Sequence, residues 1–310
     1  MEKNDDKCFT ELFSRKDRNN NLFETGFIIS ICVNALLTLT GIIGNGLIIV
    51  AILRSQKLKT PSYLLIKSLA FTDVLVGLAF HPSMIVKDLF HLEKYKESPC
   101  LFLFIFNLIN SYRGSLELLM SALISIDRYL AISLLNRYKI VVTRQRVLTV
   151  TLATWVLIGG SLTWLVEDTR FMTAAQARIF KAVFILSVLL ITCAFYIASF
   201  IRLRNHTAQV QSNSSPAQFN VLKYKKTLKT MMAILGCFLV CQVPLFITMS
   251  MFESFMKGPH RDIFMVAHNF ASTVHGLNST INPVIYLVRF RDIRRACHQM
   301  LLDNNEVADQ

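Results

Sequence analysis

The chain reads as an all-α membrane protein: a seven-transmembrane helix bundle with a short amphipathic helix after helix 7. Three observations predict it. Seven apolar runs approach the ~20 residues that cross ~30 Å of hydrocarbon. The 310 residues are 53% hydrophobic and only 17% charged, too apolar for one soluble core. The runs are also too long for barrel strands, and only helices or closed barrels satisfy their backbone groups in lipid.

The runs place helices at 26–53, 61–87, 99–132, 147–166, 175–203, 224–252 and 262–288. Residues 1–25 form a polar N-terminal segment without the apolar stretch of a cleaved signal, so the first helix should act as its own insertion signal. The membrane domain then covers 26–288, and 289–310 form a cytoplasmic tail. Between Phe290 and Leu302 the apolar spacing predicts an amphipathic helix lying on the inner leaflet.

Basic residues set the orientation. They gather after helix 1 (Arg54, Lys57, Lys59), after helix 3 (Arg137, Lys139, Arg144, Arg146), around 204–226, and after helix 7 (Arg289, Arg291, Arg294, Arg295). The alternate loops mix signs, as in Lys87-Asp88 and Glu167-Asp168. By the positive-inside bias the N-terminus is extracellular and the C-terminus cytoplasmic, as for a multi-pass plasma-membrane protein. The net charge of +13 is thus mainly a topology signal and an attraction to membrane lipid, not a nucleic-acid footprint. The sequons at Asn205 and Asn213 fall on the cytoplasmic side, and that at Asn278 falls inside helix 7.

Of seven cysteines, Cys32, Cys193, Cys237 and Cys241 fall inside helices. Cys8 and Cys100 face the oxidising exterior and are the candidates for a disulfide. Cys297, beside Arg294 and Arg295, is a candidate palmitoylation site.

Short polar groups that apolar packing cannot explain recur along the helices. They are Gly44-Asn45-Gly46 in helix 1, Leu69-Ala70-Phe71-Thr72-Asp73 in helix 2, Asp127-Arg128-Tyr129 ending helix 3 and Trp155 in helix 4. Helix 6 adds Phe238 and Cys241-Gln242-Val243-Pro244, and helix 7 adds Asn278 and Asn282-Pro283-Val284-Ile285-Tyr286. In this order the chain resembles a rhodopsin-like (class A) G-protein-coupled receptor over roughly 26–300. The Arg137–Thr143 loop, the short second outer loop and the lack of a helix 5 proline resemble adenosine and melanocortin receptors in particular.

The resemblance implies a receptor that converts an extracellular ligand into activation of a heterotrimeric G protein. It makes Asp127, Arg128, Tyr129, Asn282, Pro283 and Tyr286 the activation switch and coupling residues. It also implies that Asp73 binds a sodium ion with Asn45, Asn278, Ser279 and Asn282 around it. An ionisable group at that depth costs several kcal/mol unless it faces a polar cavity, so Asp73 is a functional candidate on physical grounds too.

This chain departs from the pattern in three places. Arg113 and Glu117 stand four apart on one face of helix 3, and Glu117 replaces a small polar residue; the Arg113 guanidinium is expected to take the place of sodium, bridging Glu117 and Asp73. No acid occurs in Leu222–Thr227, where some relatives lock helix 6 to Arg128, which predicts ligand-independent signalling. Gln242 stands where the resemblance places a tryptophan before Val243-Pro244, although the proline kink survives.

The resemblance also narrows the ligand. Asn110 replaces the aspartate of amine receptors and Gly276 the retinal lysine of opsins. Met249 replaces an adenosine-binding asparagine, and Ser83, Leu103 and Asn107 replace melanocortin-binding acids. The remaining pocket comprises Asn107, Asn110, Gly114, Gln242, Met249, His268, Ser272 and His275. Five of the seven histidines, His81, His91, His260, His268 and His275, fall on the outer half, where ordinary polar lining is the favoured reading and proton sensing the alternative. No metal site is expected, because His268 and His275 are two turns apart without a carboxylate or cysteine at ligand spacing. The tail from Leu301 is short and acidic, leaving Ser212, Ser214 and Ser215 as phosphorylation candidates. A heptahelical transporter or channel is the alternative; no inverted repeat supports it. No catalytic motif such as His-Glu-x-x-His is present, so no enzymatic activity is expected.

Overall fold

The computed structural model describes residues 21–92, 100–159, 174–211, 217–256 and 259–308. All regular structure among them is helical. Helix α1 (Asn21–Arg54) is joined by a tight turn (Gln56–Leu58) to α2 (Pro61–Leu92). Helix α3 spans Cys100–Leu134, and α4 begins at Arg144 and continues into the wider-wound segment Thr154–Gly159. Then follow α5 (Ala174–Gln211), α6 (Ala217–Met256), α7 (Arg261–Arg289) and α8 (Arg291–Ala308). Cys8, the Cys100 side chain, Ser212, Ser214, Ser215 and the side chains of 222–227 lie outside the described residues, so the disulfide, phosphorylation and helix 6 expectations do too.

Asn21–Arg54, Pro61–Leu92 and Ala182–Asn205 are long and apolar enough to cross a membrane by length and composition, with Gly236–Phe252 a shorter apolar stretch. Their outward faces are greasy. Leu36, Ile43, Leu190 and Val240 are among the exposed large side chains, as expected where lipid is the solvent.

Several helix ends differ from expectation, and the largest differences are α5 reaching Gln211 rather than 203 and α6 starting at Ala217 rather than 224. Helix α1 starts ahead of residue 26, because Phe23 and Phe27 are buried and pack edge-on and tilted against His91 of α2 with centroids 6.5 and 4.9 Å away. Helix α2 runs on past residue 87, so Lys87-Asp88 is not a loop pair; Asp88 is completely buried within the helix. The physical reason is a set of hydrogen bonds that absorbs its charge. Within α2 the backbone widens into a π segment at Val76–Phe80, a local rewinding that redirects the side chains after it.

The chain divides into two compact units. The first comprises Met1–Ile43, Asp73–Ser111 and Phe238–Thr280; the second comprises Gly44–Thr72, Tyr112–Cys237 and Ile281–Gln310. Val76, Phe80, Met84 and Phe106 form the core of the first, backed by Phe102 and Ile109. Here Gly276 has a packing reason: an added Cβ would stand 2.7 Å from the His81 ring and 2.9 Å from Phe80. In the second unit the side chains of Ile48, Leu116, Met120, Tyr286 and Ile293 are fully buried, and Gly44 lets Pro283 approach to within 3.1 Å of its missing Cβ.

Candidate functional site: two buried carboxylate clusters

In the second unit, α3 ends by presenting Asp127, which is 4% exposed. Its carboxylate pairs with the adjacent Arg128 guanidinium and accepts hydrogen bonds from the Tyr138 hydroxyl (2.5 Å) and the Ser62 hydroxyl (3.0 Å). Ser62 and Tyr138 also lie 3.1 Å apart, closing the set. Local backbone brings Tyr138 there. Leu135 adopts a left-handed φ of 44°, which costs a bulky residue about 1 kcal/mol. That reversal ends α3 and is followed by the helical turn Tyr138–Val141. Burial, and after it the Asp127 charge, pushes the Tyr138 hydroxyl above the usual phenol range, so it remains a donor at physiological pH.

Tyr129 packs edge-on against Phe195 of α5 at 5.5 Å. Tyr286 is fully buried with its ring 6.2 Å from Phe290, which meets Tyr63 of α2. The Tyr63 hydroxyl in turn donates to Asp292 of α8 at 3.2 Å. Asn45 and Asn282 are buried, and Arg113 and Glu117 form a buried ion pair at 3.1 Å across one turn of α3. Trp155 stacks on Phe71 at 5.3 Å, and its carbonyl accepts from the Tyr112 hydroxyl. Cys297 is buried on α8, and burial raises its thiol pKa.

The first unit holds the second cluster. Asp88 Oδ2 accepts from the Ser30 hydroxyl of α1 (2.7 Å) and from the Asn269 amide of α7 (2.9 Å). Lys87 lies 3.6 Å from Asp88 Oδ1, donates to Asn269 Oδ1, and holds its ammonium 5.2 Å from the Phe106 ring centroid. One turn deeper, Asn34 donates to Thr273 (3.1 Å) and meets the His81 ring nitrogen at 2.8 Å. Three helices are therefore tied together by neutral groups around one carboxylate. Asp73, Asn278 and Ser279 are buried in the same unit.

Of the expected ligand-pocket residues, Gly114 belongs to the second unit and the other seven to the first. His268 Nδ1 meets Thr248 of α6 at 3.0 Å, its ring is flanked by Phe252 and Phe264, and its carbonyl accepts from Ser272. Ser272 and His275 are buried; Asn110, Gln242 and Met249 are half-buried; Asn107 is exposed. Among the described residues no group of three His, Cys, Asp or Glu side chains converges as a metal site would.

Sequence reading missed the Asp88 cluster, and a signal for it exists. Ser30 and Asn34 on α1, and Asn269 and Thr273 on α7, are polar pairs four residues apart, each on one helix face.

A seven-helix membrane protein with a buried acid–arginine pair ending its third helix is the architecture of a receptor, and comparison with known proteins agrees. The family model of the 7 transmembrane receptor (rhodopsin family) matches residues 44–286. The chain is 26% identical over 293 residues to adenosine receptor A3 of Ovis aries, covering 85% of this chain and 86% of that one. It is 28% identical over 291 residues to cannabinoid receptor type 1B of Takifugu rubripes, covering 83% of this chain and 60% of that one. It is 25% identical over 291 residues to melanocortin receptor 5 of Mus musculus, covering 87% and 84%. The chain belongs to the rhodopsin family of seven-transmembrane receptors. It is a multi-pass membrane receptor that passes a signal from an extracellular ligand to a heterotrimeric G protein.

Proposed function

We propose that the Asp127 cluster is the switch of this receptor. With the N-terminus outside and the C-terminus in the cytosol, ligand binding among Asn107, Asn110, Gln242, Met249, His268, Ser272 and His275 frees Arg128 from Asp127. Arg128, with Tyr129, Asn282, Pro283 and Tyr286, then serves the G protein, and the chain itself catalyses no covalent chemistry. The carrying observation is that Asp127 holds Arg128 while two further donors, Tyr138 and Ser62, compete for the same carboxylate. Each donor shares the negative charge, which weakens the grip on Arg128 while fixing where the carboxylate sits. The acid-free stretch Leu222–Thr227 removes one further restraint, so the receptor signals appreciably without ligand.

The polar core carries a departure. The sodium-binding set implied by the family fits poorly here, because position 117 is a glutamate already accepting from Arg113 inside the protein. Arg113 takes the cation's role. Agonist affinity should accordingly be indifferent to sodium.

The test is GDP release from a panel of purified Gα subunits by full-length receptor in nanodiscs, with Arg128→Ala alongside. Ligand-free release above that of Arg128→Ala supports this reading. Equal release by the two, with and without a ligand that binds, defeats it.

A further inference from the structure

Among the described residues of the first unit only two side chains are lysine or arginine, Lys87 and Arg261. Arg261 opens α7, whereas Lys87 lies within α2 and reaches between helices. Its ammonium donates to Asn269 Oδ1 of α7, meets the Met84 sulfur at 3.6 Å, and stands 5.2 Å from the Phe106 ring centroid of α3. It also interacts electrostatically with His268, which precedes Asn269 and belongs to the ligand pocket proposed above. Lys87 therefore borders that pocket, although no motif in the chain marks it as a ligand residue.

The adjacent Asp88 does not use up this charge. Both short hydrogen bonds to its carboxylate come from neutral donors, Ser30 and Asn269, and both reach Oδ2. Lys87 stands 3.6 Å from Oδ1, longer than a hydrogen bond. The Asn269 amide accounts for the gap. Its nitrogen is committed to Asp88 and Ser30, which turns its oxygen toward Lys87 and holds the ammonium off the carboxylate. The pair is also lopsided: the Asp88 side chain is 0% exposed and that of Lys87 14%, so the cation is the end that an entering molecule meets. Of the acceptors around the ammonium, the Met84 thioether is the weak one, which a stronger acceptor displaces.

One ammonium among neutral amides suits a single negative charge. A phosphate with two charges wants more cations than the described part of this unit supplies, and a metal ion is repelled. The surroundings are aromatic, with Phe106 against Lys87, and Phe252 and Phe264 against His268. We propose that Lys87 is the anion anchor of the ligand pocket, and that the pocket takes a carboxylate carried on an apolar or aromatic body, its oxygen replacing the Met84 sulfur on the ammonium. This assignment rests on the pocket named under the proposed function.

The test measures binding to purified full-length receptor in nanodiscs of neutral lipid. The probes are 4-phenylbutyrate, indole-3-propionate and decanoate, each beside its primary amide. At least one carboxylate should bind about tenfold to a hundredfold more tightly than its amide, the range of a charge-assisted hydrogen bond. Lys87→Gln should abolish that preference and leave the amide within about twofold, and Lys87→Arg should keep most of it. Should Lys87→Gln fail to fold, Lys87→Gln combined with Asp88→Asn takes its place, because it leaves no buried charge uncompensated. No binding by any of the three carboxylates, equal affinity of acid and amide, or a preference that survives Lys87→Gln overturns the anchor. GDP release from Gα separates this result from the pocket's role in signalling. A carboxylate that binds through Lys87 without speeding release upholds the anchor and counts against the pocket as the activating site. An amide that speeds release as well as its acid keeps the pocket and overturns the anchor.

Discussion

Asp88 and Asp127 are both buried carboxylates, one in each unit, yet their surroundings differ in kind. Asp88 is bound by the neutral side chains of Ser30 and Asn269, on helices distant in sequence, with Lys87 at the longer distance of 3.6 Å. Breaking that cluster means separating α1, α2 and α7. Asp127 is bound by its chain neighbour Arg128, by a serine at the start of α2, and by a tyrosine from a short turn beyond α3. The Asp127–Arg128 pair lies within α3 and does not itself join two helices. The same chemical group is thus a fastener where neutral side chains of two other helices take its closest hydrogen bonds and a lysine stands further off, and a switch where an adjacent arginine is itself the close partner.

The largest expected effect is on the fastener. Asp88→Leu strands the polar groups of Ser30 and Asn269 and deprives Lys87 of its counter-charge, so stability should fall by about 3 kcal/mol. Thermal unfolding of purified receptor would report it; an unchanged midpoint would break the comparison from the first unit's side. Next comes the switch. Asp127→Asn removes the charge that holds Arg128, and a charge-assisted bond is typically about 2 kcal/mol, so ligand-free nucleotide exchange should rise roughly tenfold or more with little change in unfolding. Tyr138→Phe removes one of the competing donors. Because that hydroxyl also fixes the carboxylate, ligand-free exchange should change by about threefold to fivefold, the sign revealing whether placement or competition dominates. An increase means placement dominates, a decrease competition; no change would remove Tyr138 from the switch.

The smallest effects sharpen the packing contrast. Gly77→Ala in the first unit brings a Cβ to 2.8 Å from the Ile42 side chain and 3.3 Å from its backbone nitrogen. It should cost about 1 kcal/mol. Gly46→Ala in the second unit meets nothing within 4 Å, and it should be neutral or slightly stabilising in the same unfolding assay.

Much of this architecture was legible in the chain, for identifiable reasons. Apolar runs long enough to span hydrocarbon leave helices as nearly the sole option, and Asp127-Arg128-Tyr129 and Asn282-Pro283 mark their places because such residues are costly in lipid. The Arg113–Glu117 ion pair follows from four-residue spacing alone. The Asp88 cluster was hidden for the opposite reason: its partners lie 58 and 181 residues away, and a Lys-Asp pair beside an apolar run resembles an ordinary loop. Tyr138 was hidden too. Nothing in Asn136-Arg137-Tyr138 announces that a left-handed Leu135 will turn the chain back onto Asp127.

The most direct test of the contrast is the initial rate of GDP release from a responsive Gα, without ligand, for matched amounts of folded wild type, Asp88→Asn and Asp127→Asn in nanodiscs. A rise confined to Asp127→Asn is the predicted result. A comparable rise in Asp88→Asn, or none in either variant, would contradict the division into a fastener and a switch.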